Sequence, residues 1–374
     1  MIIYISMFVY IFIVGWIGKA SVGGKAISAK YNSRMTLPYA FLILAMPVFF
    51  IGMRTNYVDT KGYIAGFEAF PTEWWGVQIQ LANSKGTGWI IYQWIIKKLF
   101  TKSGNTFIFI TALIQGYAIL KFYYKYSRDY SYSILLFFLS CSFVNMMNGI
   151  RQFMAVSLIL FFSDYIFEKK YLKFLIVVLI ASRIHPSAIV WIPAMFIIQG
   201  EAWNWKTIAF SLAMVMAVIF VDTFTNLLED SLAETAYAGY TDQFAQDDGS
   251  NIMHTLIAAV PVLLAFVERK KIKALHNEII SILTNISIFG VMFSLLANFT
   301  SGILIGRMPI YFTVFNFALY TWLFEFTVSR NNRKVVRILC VAGYAAYAWY
   351  YMTHAWGSAG MPYISDILGI NTWG

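Results

Sequence analysis

Apolar residues in this chain come in long, nearly unbroken blocks, separated by short polar stretches. A helix that is apolar on all sides belongs in a large core or in lipid, and about 20 such residues cross a bilayer core. The blocks predict helices near residues 2–17, 37–53, 105–124, 132–148, 150–167, 171–184, 187–199, 205–222, 252–268, 279–299, 303–327 and 336–353. Two places are irregular. Residues 89–100 (WIIYQWIIKKLF) are apolar but short, which fits an interfacial or re-entrant helix better than a crossing. Residues 171–199 are interrupted by His185-Pro186. Proline removes a helix hydrogen bond and disfavours helix in the residue before it. That block reads as two short helices meeting near residues 183–187, or as one kinked span.

Composition turns this pattern into a fold class. Of 374 residues, 59% are apolar and 12% are charged, against roughly 25% charged in soluble domains. Mean hydropathy is +0.64. These values exclude a soluble globular enzyme, a disordered chain and a peripheral membrane protein. The expectation is an all-α polytopic membrane protein of about 11–12 transmembrane helices, in one integral membrane domain over residues 1–374 without internal repeats. The N-terminus, Met1-Ile2-Ile3-Tyr4, has no basic region before its apolar run and reads as a retained first span.

The formal charge of +10 is spread in short clusters between apolar blocks. That distribution marks membrane topology and gives no nucleic-acid footprint. Lys19, Lys25, Lys30 and Arg34 follow the first span, which puts that loop in the cytoplasm. Carried forward, cytoplasmic loops receive Lys121/Lys125/Arg128, Lys169/Lys170/Lys173, Arg269/Lys270/Lys271/Lys273 and Arg330/Arg333/Lys334/Arg337. The two long loops, about 54–104 and 222–251, fall outside. The second is acidic, with Asp222, Glu229, Asp230, Glu234, Asp242, Asp247 and Asp248, and reads as a solvated face. Lys97, Lys98 and Lys102 conflict with this scheme unless 89–100 crosses.

Ionisable residues at or inside spans are costly, so each is a candidate for function. Arg54, Arg151, Arg183, His185 and Arg307 all fall on the outer side. Asn145, Asn148 and Gln152 surround Arg151 in the polar stretch NMMNGIRQ, and Met308-Pro309 follows Arg307. An arginine at a span end also serves as an interfacial anchor. Guanidinium matches phosphate oxygens bidentately and stays charged when partly buried. A lipid headgroup, or better the pyrophosphate of a lipid carrier, fits such a cluster. Trp74, Trp75, Trp89, Tyr92 and Trp94 share the first outer loop, where a sugar-binding face and an aromatic belt are equally good readings. Asp59, Tyr63, Glu68 and Glu73 lie there too; a carboxylate among them, or His185, could take a proton from an attacking hydroxyl. Cys141 and Cys340 are isolated, and no phosphate-binding glycine loop or metal-ligand spacing occurs, so neither cofactor nor metal is expected.

Three motifs in order carry a resemblance. Gly52-Met53-Arg54 is followed by Tyr57, Asp59 and Tyr63. Then come Asn148-Gly149-Ile150-Arg151-Gln152 with Ala155, and His185-Pro186-Ser187-Ala188 after the apolar run 171–182. Over residues 40–200 the chain resembles bacterial exopolysaccharide and O-antigen polymerases of the Wzy and EpsG type. One departure is Val58, where the family usually has a glycine before the aspartate. The resemblance implies a GT-C-like membrane glycosyltransferase, independent of metal, at the outer face of the bacterial inner membrane. It would move a growing glycan from undecaprenyl pyrophosphate to a new lipid-linked repeat unit, alongside a separate chain-length regulator. On that reading Arg151 and Arg307 grip the pyrophosphate and His185 is the base. Arg54, Asp59, Tyr63, Asn148, Gln152 and Arg183 then line the substrate site. The rival readings are a flippase for lipid-linked oligosaccharide, an O-antigen ligase and a membrane acyltransferase. A short His–acid motif, which the last would need, is missing at His185.

Overall fold

The structure is a computed structural model that describes residues 1–22, 35–83, 86–221, 223, 225, 250–300, 305–354 and 361–372. The chain forms two compact units. The first comprises residues 1–164, 176–186 and 330–374, and the second residues 165–175 and 187–329.

The first unit is a helical bundle most of whose members follow the apolar blocks. It contains α1 (Ile2–Ala20), α2 (Leu37–Met53), α3 (Thr60–Ala69), α4 (Trp74–Asn83), α5 (Thr87–Leu99), α6 (Gly104–Tyr126), α7 (Tyr130–Leu139) and α8 (Ile150–Phe161). Helices α3, α4 and α5 instead fall within 54–104, expected as one long loop. The short α9 (Asp164–Phe167) and α10 (Tyr171–Ile184) straddle the two units. The expected bounds of 37–53 and 171–184 recur in α2 and α10. Pro38 opens α2, where a missing N–H costs nothing. The side chains of Ser103 and Asp129 cap α6 and α7 by accepting the amides of Thr106 and Tyr132.

The second unit contains α11 (Trp191–Ile197), α12 (Trp205–Ile219), α13 (Ile252–Val267), α14 (Arg269–Ala274), α15 (Glu278–Ala297), α16 (Ile310–Thr313) and α17 (Asn316–Phe326). Helix α15 is buried on nearly every side, packed by α12, α13, α16 and α17. Phe289 of α15 stacks on Phe210 with ring centres 3.8 Å apart, and Phe293 stacks on Phe312. The amide side chain that α15 carries into this packing is satisfied locally. Asn285 accepts from the amide of Trp203 and donates to the carbonyls of Ile198 and Glu201. Helix α18 (Arg330–His354) returns to the first unit and is followed by a hairpin, β1 (Ile364–Ser365) and β2 (Ile370–Asn371).

Among the described residues, α1, α6 and α15 are each long and apolar enough to cross a membrane alone. Several expected spans are instead broken. The block 132–148 becomes α7 and a 3-10 turn, Ser142–Met146. Cys141 is left-handed at the break, and the Ser140 hydroxyl accepts from the Ser142 amide. Serine hydroxyls compete with the helix ladder in this way. The block 150–167 divides at Phe162–Ser163. In 303–327, residues 301–304 lie outside the description, and Pro309 separates a 3-10 turn, Ile305–Arg307, from α16. The acidic residues from Asp222 to Asp248 also lie outside the described residues.

Two features bear on topology. Lys19 at the end of α1 and Arg337 in α18 both bind the carboxylate of Asp129, Lys19 at 2.7 Å. Burial alone would raise the pKa of Asp129, but these two cations outweigh it and hold the group below the ordinary carboxylate range. Three segments assigned to one membrane side thus meet at one end of the bundle. The other feature is α5. At 13 residues it is roughly 20 Å long, short of a ~30 Å hydrocarbon core. Its Lys97 is buried and donates to the carbonyls of Phe67, Glu68 and Phe70 at 2.6–2.8 Å. That lysine closes the C-terminus of α3, a structural role that accounts for its burial.

Candidate functional site

Helices α2 and α6 run between the Asp129 end of the first unit and its opposite end, where most of the proposed site residues collect. At the C-terminus of α2 the chain turns extended at Arg54, whose side chain is buried. Its Nε donates to Thr60 Oγ1 at 3.1 Å, and Nη2 donates to the carbonyls of Met146 and Met147 at 3.2 and 3.1 Å. Nη1 donates to the Ile51 carbonyl. Four protein acceptors therefore engage this guanidinium. Arg54 ties α2 to the turn that precedes Asn148-Gly149.

Asp59 holds the same turn from a second direction. Its Oδ2 accepts from the Gly149 amide at 3.3 Å. Gly149 has φ +79° and caps α8, so Arg151 falls in the first turn of that helix. Val58, just before Asp59, has φ +46°. A left-handed conformation costs a β-branched residue roughly 1–2 kcal/mol that glycine does not bear. Val58 is half-exposed at 52%, so a smaller side chain there removes little packing. Val58→Gly is therefore expected to stabilise the protein by about 1 kcal/mol, read as a higher unfolding midpoint in detergent.

Arg151 is the centre of the arrangement. Its Nε donates to the carbonyl of Ile184, the residue before His185. Its terminal nitrogens lie over Gly86: a methyl group there would come within 2.1 Å of Nη2. Gly88 lies close to the end of α10, since a methyl on it would sit 2.8 Å from the carbonyl carbon of Arg183. The sequence Gly86-Thr87-Gly88 thus lets the start of α5 come against Arg151, Arg183 and Ile184. The residues themselves carry the signal, a Gly-x-Gly opening an apolar helix, which sequence reading passed over.

The electrostatics follow from these approaches. Helices α5 and α8 have glycine at the N-cap and no side-chain cap. Their first amides are left for other acceptors, and the positive ends of both dipoles lie beside Arg151. Arg183 is exposed and His185 half-buried. The His185 amide donates to the Ala181 carbonyl at 2.8 Å, which continues the ladder of α10 to the edge of the proline break.

The other expected residues take different places. Tyr63 meets Trp89 edge-on at 5.8 Å in the core of Phe67, Phe107, Ile150 and Met154 beneath the site. Gln152 is buried and Asn148 half-buried. Trp89 and Tyr92 are core residues, the Tyr92 hydroxyl paired with Thr111 at 2.8 Å. Trp94 donates to the Thr72 carbonyl, while Trp74 and Trp75 stay exposed. Glu68 Oε1 accepts from the Gly104 amide, a structural role. Arg307 belongs to the second unit, exposed at the end of its 3-10 turn. Near it in sequence, Tyr311 accepts from the Ser187 hydroxyl at 3.2 Å.

The C-terminal hairpin fixes the Arg54 corner from outside. Thr55 donates its amide to the Ile364 carbonyl and its hydroxyl to Asp366 Oδ2, at 3.0 and 2.8 Å. Ser365 donates to the Met53 carbonyl and Tyr363 to the Phe50 carbonyl.

Among protein-family models, that of the EpsG family matches residues 37–365. No curated protein and no solved structure matches the chain.

Proposed function

The chain belongs to the EpsG family, and from that premise we propose that it is a metal-independent glycosyltransferase that polymerises a polysaccharide from lipid-linked repeat units. The growing glycan leaves its undecaprenyl pyrophosphate and joins a new lipid-linked unit at the outer face of the inner membrane. An acceptor hydroxyl oxygen attacks the anomeric carbon and forms the new C–O bond. The bond to pyrophosphate breaks, and the leaving group departs with the electron pair. The hydroxyl proton passes to a base, for which His185 is the candidate.

One observation supports this reading most: the guanidinium of Arg151 lies over Gly86, beside the N-termini of α5 and α8. Fixed positive charge placed where a leaving group develops negative charge is a large catalytic term. Arg183, exposed at the end of α10 with its backbone against Gly88, supplies a second cation in this reading. Arg54 acts as a positioning residue, because its donors are spent on the 146–147 carbonyls. Asp59, Asn148 and Gln152 shape the substrate side, and Tyr63 supports them from the core. Arg307 enters the proposal as a cation of the second unit, to be tested by its own substitution. The GT-C-like architecture with 11–12 crossings belongs to the same reading, some crossings being made of two short helices in series. A chain-length regulator would act on this machinery as a separate partner.

Deletion of the gene should leave single repeat units on lipid carrier at the outer face. Units stranded on the cytoplasmic side would instead identify a flippase and refute the polymerase reading. In isolated membranes, polymerisation is expected to continue at its full rate in excess EDTA. A loss reversed by added Mg²⁺ would refute metal independence.

A further inference from the structure

Four cations, Arg330, Arg333, Lys334 and Arg337, occupy the first two turns of α18, with no acidic residue in the first turn. Cations at a helix N-terminus face the positive end of the dipole, an unfavourable arrangement that an anion relieves. At this corner the fold supplies Asp129, shared by Lys19 and Arg337. Its Oδ1 is also occupied, accepting from the Ser131 hydroxyl and the Tyr132 amide. One carboxylate against Lys19, Arg337 and the exposed Lys334 leaves a surplus of two positive charges at this corner.

From the same corner a groove of about 480 Å³ runs between α1, α7 and α18. Beyond the basic end its walls are apolar, among them Phe12, Leu135, Ile338 and Ala342. Trp16, 69% exposed, stands one turn before Lys19 on α1, where an indole sits at headgroup depth. A long apolar trough ending in surplus positive charge matches a molecule with an acyl chain and an anionic head.

We propose that this groove binds one anionic phospholipid from the surrounding bilayer, its phosphate at Lys19, Lys334 and Arg337 and one acyl chain along α1, α7 and α18. A free phosphate would use none of the apolar wall, and a zwitterionic lipid would leave the surplus charge uncompensated. The site lies at the Asp129 end of the first unit, away from Arg151, and holds whether or not the proposed reaction is correct.

Native mass spectrometry of the intact protein in detergent tests it, with phosphatidylglycerol and phosphatidylcholine of identical chains. The wild type should retain one phosphatidylglycerol under conditions that strip phosphatidylcholine. Lys334→Gln should weaken that retention roughly fivefold, the effect of one basic residue at an anionic surface. Ala342→Phe, which fills the trough and leaves every charge in place, should also reduce it. Both positions are exposed, so neither change threatens folding, and an unaltered thermal midpoint in lipid-free detergent confirms that. Equal retention of the two lipids, or phosphatidylglycerol retention unchanged in both variants, overturns the proposal.

Discussion

Arg151→Ala is expected to abolish the long-chain glycan ladder in a strain lacking its own polymerase, with protein level unchanged. The loss should be about 10² to 10³ in rate, the usual effect of removing one charge-stabilising donor from an active site. Arg151→Lys should recover only part of it, because an ammonium lacks the planar fork that meets two phosphate oxygens at once. Gly86→Ala gives the same result by another route. Its new methyl would meet the tip of the Arg151 side chain at 2.1 Å, and that flexible tip can move away at little cost to the fold. Activity should fall while the amount of folded protein stays constant. A ladder of wild-type length and intensity from Arg151→Ala would remove this residue from the site.

Arg54→Met is expected to fail in the opposite way, through folding. The substitution keeps much of the bulk but removes the donors to the buried carbonyls of Ile51, Met146 and Met147. An unsatisfied buried acceptor costs about 1–3 kcal/mol, so losing several puts the penalty on the order of 4 kcal/mol. Size-exclusion profiles of the detergent extract should show a much smaller monodisperse peak. A normal peak combined with lost polymerisation would instead return Arg54 to direct contact with substrate.

This contrast between two arginines explains where sequence reading succeeds and where it stops. The apolar blocks locate most of the helices, because a long apolar run forms a helix whether it faces outward or, as in α7 and α15, lies buried in the protein. They do not locate the breaks, which fall at Cys141, Phe162 and Pro309 inside apolar runs; only the proline is visible beforehand. The segment 54–104, expected as one long loop, contains three helices; the groups that close them, such as Lys97 on the α3 carbonyls, work across 27 to 30 positions and leave no local signal. The three motifs do come together: Asp59 meets Gly149, and Arg151 meets Ile184 beside His185. Their roles are less legible. An arginine at a span end has the same sequence signature whether it faces a ligand, the interface or a ring of carbonyls. For Arg54 the deciding partners lie more than 90 positions away. Gly86 and Gly88 escape notice for a related reason, since a glycine reports a close approach without saying what approaches.

The hairpin over 361–372 also sets a time for the molecule. Thr55 and Asp366 are joined across 311 positions. At roughly 5–20 residues per second of synthesis, Arg54 waits about 15 to 60 s for the strand that closes its corner. During that interval the turn before Gly149 has its guanidinium but not its outer latch. Ser365 and Tyr363 reach Met53 and Phe50 across 312 and 313 positions in the same way, so this corner sets late, after the helices on either side of it exist.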